Sequence, residues 1–447
     1  MKNLERRGII CLLLAACLFV GICIYLYRFI TRAGDWVTYP YNSHIYNNGQ
    51  VASGNIFDAG GNLLIGTKNG KIKWNRSETV RKATAHAVGD LQGNVVTGAE
   101  TAFRDKLLGY NLITGTYSMN GKGKNITLAI NKNISATAYK ALAGRNGLVG
   151  VYNYRTGEII CMVSTPTFDP KHIPKGKDIP AGTFVNKFLS GTMTPGSIFK
   201  LVTSAAAIEN YNGLEDWSYT CTGSRTINGG KITCTRPHGR VDFAGALASS
   251  CNCGFSELTE KIGAGKMKEY SQKLGLTTQY NIDGVKNAKG SFKFPGYAPL
   301  SLAWAGIGQW KDQINPCSML VYISAIATDG KGTVPRILHK AAGGGEKTEQ
   351  MIESSTAKRL RDMMKNNVNK EYGQGNFPGL DIYAKSGTAE VGTSNSNAWF
   401  AGFIKNSDYP YAFIVCVENG GYGSSVAGPV ANTVMQKVIS TESAATN

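Results

Sequence analysis

Residues 147–164 read GLVGVYNYRTGEIICMVS. Two apolar runs flank Arg155-Thr156-Gly157, which is the pattern of a β-hairpin. Far along the chain, IYAKSGTAEV (382–391), AWFAGFIK (398–405) and YAFIVCV (411–417) are three more strand-like runs. The polar SNSN and NSDYP segments separate them, so an antiparallel meander is expected. A helical pattern runs from Pro429 to about Ser440. Between the two strand groups lie helical stretches: IFKLVTSAAAIEN from Ile198, VDFAGALASS from Val241 and PCSMLVYISAIATDG from Pro316. Strands at both ends with helices between them predict an α+β domain whose sheet joins both ends of the segment.

Upstream, residues 34–145 hold short strand-like runs such as GNIFDAGGNLLIG and NITLAINKN, separated by Gly/Asn turns. They carry no convincing cluster of acids, histidines or cysteines, and read as a β-rich, non-catalytic pedestal. Gly8–Tyr27 is a run of twenty residues without a charge. That is enough to cross a bilayer as a helix, which takes about 20 residues. A cleaved signal peptide has a shorter apolar core and a small-residue cleavage site, whereas Tyr25-Leu26-Tyr27-Arg28-Phe29 stands here. The expected organisation is a cytoplasmic tail (1–7), a transmembrane anchor (8–27), the pedestal (34–145) and the α+β domain (146–442). The bulk of the chain then lies outside the cell, on a single-pass anchor in the cell membrane.

The chain of 447 residues has a formal net charge of +18. No long Lys/Arg block and no zinc-finger or RNA-binding signature accompanies that charge; charge alone does not choose among partners, and no nucleic acid is expected among them. A basic surface also suits anionic lipid or an anionic wall polymer. Of the ten cysteines, Cys11, Cys17 and Cys23 fall in the anchor, and Cys161, Cys317 and Cys416 read as buried thiols. Cys221 and Cys234 flank the Gly-rich turn TGSRTINGGKIT. In an oxidising exterior that spacing suggests a disulfide. They lack the paired spacing of a zinc site, and no metal or cofactor is expected.

Three stretches could carry chemistry. In Thr194-Pro195-Gly196-Ser197-Ile198-Phe199-Lys200, Pro195 favours a helix start. Ser197 then sits in a first turn whose free N–H groups favour negative charge, and Lys200 shares its face. A lysine in a dry pocket can lose its proton and serve as a general base. The spacing alone is weak, because Ser355-Thr356-Ala357-Lys358 repeats it on what reads as a solvated amphipathic helix. The second stretch, Ser250-Cys251-Asn252, follows a helical segment; a hydroxyl and a carboxamide at a turn can relay a proton and grip an amide. Ser118-Met119-Asn120 is a repeat of that pattern. The third, Lys385-Ser386-Gly387-Thr388, lies on a strand, with Lys385 and Gly387 on one face and Ser386 and Thr388 on the other. Its glycine lets a substrate backbone approach the strand edge.

Each motif alone has a bland explanation, but together they fall in order on a helix start, a helix-to-helix turn and an edge strand. This trio is the signature of penicillin-binding proteins and serine β-lactamases. The sequence resembles the monofunctional, class B penicillin-binding proteins, particularly the short division-type, PbpA-like group. Further stretches carry the resemblance: GLVGVYNYRTGEIICMVSTPTFDP, HGRVDFAGALASSCN, GIGQW, NAWFAGF and VENGG. Trp310 departs from it, standing where a glycine usually follows Ile-Gly-Gln, and Asn397 stands where a histidine often precedes Ala-Trp-Phe.

The resemblance implies a transpeptidase domain and a D,D-transpeptidase that cross-links peptidoglycan stem peptides through an acyl-serine and binds β-lactams covalently. It implies catalytic roles for Ser197, Lys200, Ser250, Asn252 and Lys385, and substrate binding by Ser386, Gly387 and Thr388. It also implies a glycan polymerase of the division or elongation machinery as partner. A D,D-carboxypeptidase shares all three motifs, and a non-enzymatic β-lactam-binding sensor or division scaffold would share the acylated serine. A class A β-lactamase would carry Glu-x-x-Leu-Asn after Ser250, and that motif is absent.

Overall fold

The computed structural model describes residues 2–37, 54–68, 71–111, 116–117, 123–340, 343–392 and 395–446. Ser118-Met119-Asn120 lies outside the described residues. Helix α1 spans Lys2–Val37. Within it, Glu5–Thr31 is long and apolar enough to cross a membrane, and its most apolar window has a mean hydropathy of 3.0. None of its most apolar window is covered by the rest of the chain, so these side chains have no protein core to enter and suit hydrocarbon instead.

A small sheet follows, built from β1 (Ile56–Phe57), β2 (Leu63–Lys68), β3 (Lys71–Trp74) and β4 (Ile126–Thr127), in the order β3-β2-β1-β4. The first region also carries helices that its strand-like runs do not announce. Helix α2 spans Glu78–Val88, and its N-cap Ser77 accepts a hydrogen bond from Val80 N–H, which satisfies one otherwise free first-turn donor. Helix α3 (Lys132–Leu142) is started by Asn131, whose side chain accepts from Asn133 and Ile134. Ile134, Ala138 and Leu142 of α3 enter the same apolar cluster as Val149 and Val151 of the downstream sheet. By packing, α3 therefore joins the sheet layer that follows it.

The central sheet has five antiparallel strands: β5 (Gly147–Asn153), β6 (Ile159–Thr165), β11 (Ile382–Val391), β12 (Asn395–Ile404) and β13 (Tyr411–Val417), in the order β11-β12-β13-β5-β6. The sheet joins the two ends of the segment, because β13 pairs with β5 from Tyr411–Asn153 to Val417–Gly147. Its inner strands are buried on both faces. Ala412, Ile414 and Cys416 pack into one core, and Phe413, Val415 and Val417 into another. Two covered faces explain why YAFIVCV reads as one apolar run rather than an alternation. Helix α10 (Gly423–Thr446) and α3 cover one face. Helix α10 begins six residues before Pro429, the expected start, and Pro429 sits inside it.

The other face meets the helices between the strand groups: α4 (Lys200–Asn210), α5 (Phe243–Ala248), α6 (Asn252–Lys273), α7 (Pro299–Gly306), α8 (Pro316–Ala327) and α9 (Ser354–Asn367). Helix α8 is buried along its full length, with Pro316 in its first turn and Asn315 capping Ser318 N–H. Between α4 and α5 run two ribbons. β7 (Ser218–Cys221) pairs with β10 (Gly239–Asp242), and β8 (Ser224–Ile227) pairs with β9 (Gly230–Thr233).

Candidate active site

Ser197 stands in a single 3-10 turn, Gly196–Phe199, that leads directly into α4. Gly196 has φ of +55°, and a Cβ there would come within 2.5 Å of the Thr388 carbonyl. The serine turn is therefore pressed against β11, which only a residue without a side chain permits. The same closeness appears from the strand side, where a Cβ on Gly387 would meet Ile198 Cγ2 at 3.0 Å and Ile198 N at 3.1 Å.

Lys200 is completely buried. Its Nζ lies 3.2 Å from Ser197 Oγ and 3.1 Å from Ser250 Oγ. It donates to the Ser250 carbonyl at 2.6 Å and to Asn252 Oδ1 at 2.7 Å. Burial pushes the Lys200 amine down to about 8, against the opposing pull of the nearby Cys251, Cys234 and Cys253 thiols. A neutral amine then becomes available near physiological pH.

Ser250 occupies the turn between α5 and α6, with φ of +53°. Lys385, also fully buried, donates to Ser250 Oγ at 3.1 Å and to the Ser386 carbonyl at 2.8 Å. Burial, followed by the proximity of Lys200, pushes the Lys385 amine well below its ordinary value. Two lysines thus flank one hydroxyl, and each disfavours a charge on the other. Asn252 opens α6, and its Nδ2 donates to the Thr233 carbonyl at 2.8 Å.

Ser197, Ser250, Asn252, Ser386 and Thr388 all line one cleft of about 330 Å³. Lys200, Lys385 and Gly387 lie behind its wall. The alternation on β11 is as expected: Lys385 and Gly387 are buried, while Ser386 and Thr388 are half-buried at the cleft. The decoy behaves differently, since Ser355 and Lys358 are exposed on α9 and Lys358 pairs with Asp362 at 2.9 Å. Chemically, the cleft offers a hydroxyl nucleophile, a buried amine within reach of it, and a second hydroxyl wired to a second amine.

Sequence reasoning missed several lining residues. The Tyr372 hydroxyl accepts from Ser386 N–H at 2.9 Å and holds β11 in place. Thr233, Trp304, Gln309 and Tyr422 also border the cleft. Thr233 ends β9, Trp304 and Gln309 stand at the end of α7 and in the loop after it, and Tyr422 precedes α10, so three distant segments supply them. Trp310 has φ of +64°, the left-handed region that glycine enters most easily. Asn397 is nearly buried, and its Oδ1 accepts from Asn419 N–H at 3.1 Å.

One expectation is corrected. Cys221 and Cys234 are not joined: all cysteines are free thiols, and these two sulfurs are 3.7 Å apart. A disulfide requires about 2.05 Å. Cys234 is also 3.9 Å from Cys251 and 3.5 Å from Cys253, so it belongs to a group of thiols rather than to a pair.

A cleft-lining serine at a helix start with a buried lysine behind it, a Ser-x-Asn turn and a Lys-Ser-Gly strand around one cleft define a serine acyl-transfer enzyme of the penicillin-recognising type. The profile of the penicillin binding protein transpeptidase domain matches residues 147–436. The chain belongs to the penicillin-binding protein transpeptidase family. It is 27% identical to the peptidoglycan D,D-transpeptidase PbpA of Mycolicibacterium smegmatis over 370 residues, which is 73% of this chain and 74% of that protein. In fold it is similar to penicillin-binding protein A from M. tuberculosis in a ceftriaxone acyl-enzyme complex, with a TM-score of 0.75 at 22% identity, covering 86% of this chain and 97% of the other. A D,D-transpeptidase domain from Eggerthella lenta gives a TM-score of 0.73 at 23% identity, covering 87% and 98%.

Proposed function

We propose that this protein is a membrane-anchored peptidoglycan D,D-transpeptidase in which Ser197 attacks the carbonyl of the penultimate D-Ala of a stem peptide ending in D-Ala-D-Ala. The observation that carries the reading is the approach of buried Lys200 Nζ to Ser197 Oγ, at 3.2 Å. Neutral Lys200 takes the serine proton as the C–O bond forms. The backbone N–H groups of Ser197 and Thr388 receive the oxyanion, the first at the start of a helical segment and the second on the adjacent strand. Each such donor is typically worth about 10²–10³ in rate.

Ser250, between the two lysines, delivers a proton to the departing D-Ala nitrogen as the C–N bond breaks. Asn252 orients the donor amide, and Ser386 and Thr388 bind the terminal carboxylate under the field of Lys385. The amine of a neighbouring stem then attacks the acyl-serine, restoring the Ser197 hydroxyl and forming the cross-link. A β-lactam enters as a donor mimic and leaves Ser197 acylated.

The amine acceptor separates this activity from a D,D-carboxypeptidase, which uses water. Incubation of the full chain with a stem pentapeptide and an amine acceptor tests the reading. A cross-linked product supports it, and release of D-Ala without cross-linking assigns the carboxypeptidase reaction instead. Acylation by penicillin with neither product would favour a sensor or scaffold.

The α1 segment supports a single-pass anchor with the catalytic region outside the cell, where the wall substrate lies. The expected partner in that setting is a glycan polymerase of the division or elongation machinery. Co-purification from membranes with such a polymerase checks this.

A further inference from the structure

Four side chains that no part of the acyl-transfer chemistry uses converge directly behind the Ser250 turn. Cys221 ends β7, Cys234 follows β9, His238 precedes β10, and Cys251 lies between Ser250 and Asn252. One ligand atom from each comes within 4.8 Å of every other. Cys221 and Cys251 are buried, and Cys234 and His238 are half-buried.

The spacing has a chemical meaning. Sulfurs about 2.3 Å from a tetrahedral zinc ion stand about 3.8 Å from one another. Here Cys221 and Cys234 sulfurs are 3.7 Å apart, and those of Cys234 and Cys251 are 3.9 Å apart. Those distances are far beyond a sulfur–sulfur bond and match the edges of a metal tetrahedron. His238 Nδ1 is buried with no hydrogen-bond partner among the described residues, although a buried ring nitrogen ordinarily has one. Backbone N–H groups at the start of α6 point at the sulfurs: Gly254 N donates to Cys251 Sγ at 3.3 Å, and Cys253 N to Cys234 Sγ at 3.5 Å. Such donors stabilise thiolates rather than thiols. Cys253 Sγ instead donates to the Ile232 carbonyl at 3.7 Å, which leaves it beside the group.

We propose that Cys221, Cys234, His238 and Cys251 bind a zinc ion that positions the Ser250 turn against the ribbon forming one wall of the cleft. Three thiolates and one imidazole are a common structural zinc set. Cys251 shares its backbone with both Ser250 and Asn252, and Asn252 is already tied to Thr233, the residue before Cys234. A metal at this point fixes the relay hydroxyl and the amide-binding carboxamide together without touching substrate. Ligation also keeps the thiols from oxidising outside the cell. The ligands stand at positions 221, 234, 238 and 251; only Cys234 and His238 are close in sequence, so the second short pair by which zinc sites are read is missing.

The test uses the full chain in detergent micelles, prepared in zinc-containing medium without chelator. Metal analysis is expected to find about one zinc per chain, with Cys221, Cys234 and Cys251 shielded from alkylation until the metal is removed. Replacement by Co²⁺ should give the visible bands of a tetrahedral thiolate site. C221S and H238A should each lose the metal, and C253S should keep it. Removal of zinc should slow penicillin acylation of Ser197, and zinc added back should restore the rate.

Metal-free protein acylated at full rate, with these thiols open or with Cys221 and Cys234 oxidised to a disulfide, would overturn the proposal. Zinc retained by both C221S and H238A would overturn the ligand assignment. Metal content is read independently of acylation, so a failure here leaves the proposed reaction standing, and the reverse also holds.

Discussion

Lys385 Nζ lies 3.1 Å from Ser250 Oγ, although 135 residues of chain separate them. That contact, with Lys200 on the other side of the same hydroxyl, joins three short motifs into one chain of hydrogen-bonding groups, the proton path of the proposed reaction. It runs from Ser197 through Lys200 and Ser250 to Lys385. Breaking it at different points should give different losses.

Ser197→Ala removes the nucleophile. Fluorescent penicillin should label the full wild-type chain in detergent at this residue and fail to label the variant. Labelling of Ser197→Ala at the wild-type rate would sink the nucleophile assignment.

Lys200→Met keeps the apolar stem and removes the base. General base catalysis is worth about 10²–10⁴ in rate, so acylation should fall by that order while the melting temperature does not fall. The wild-type rate has a defined pH dependence. Because burial lowers the Lys200 amine to about 8, the neutral form grows as pH rises through that value. Acylation should climb from pH 6 to 9 with an inflection near 8. A flat profile would remove Lys200 as the base.

Gly387→Ala tests the fit between the serine turn and the strand. The added methyl would stand 3.0 Å from Ile198 Cγ2, tighter than ordinary contact. Ile198, next to the nucleophile, must then give way by a few tenths of an ångström; a full displacement of about 1 Å can cost about 10²-fold, so a smaller loss than that is expected. Stopped-flow acylation should show that loss, with far-UV circular dichroism unchanged.

Arg81 and Asp169 join α2 to the loop after β6 through two hydrogen bonds of 2.8 and 2.6 Å, and both side chains are about nine-tenths buried. Arg81→Ala removes the main partner of a largely buried carboxylate, which keeps the Lys171 N–H at 3.0 Å and His172 Nδ1 at 3.5 Å; the expected cost is below the about 3–5 kcal/mol of a buried charge left with no partner. Thermal melting of the two proteins would show it as a lower transition. Burial alone would raise the Asp169 carboxyl, but the hydrogen bonds and charge of Arg81, the Lys171 N–H and His172 together outweigh it and hold it at about 2, against an ordinary 3.8. A depressed carboxylate stabilises the fold fully above its ordinary value and loses that contribution as pH falls toward 2. The gap between wild type and variant should therefore narrow between pH 4 and pH 2.

The sequence by itself determined what local chemistry can encode. Arg155-Thr156-Gly157 marks a hairpin because turn residues have their own backbone preferences. The runs from 382 to 417 mark a meander because apolar side chains must be covered. The serine, turn and strand motifs could be placed on their elements for the same reasons. Only the tertiary structure decided what depends on the meeting of distant segments. It brought Lys385 to Ser250, put Tyr372 on Ser386 N–H, carried α3 into the downstream sheet and left Cys221 beside Cys234 without joining them. Local patterns report a residue's own backbone and its nearest turns, whereas these contacts follow from how helices and sheet close over a shared core.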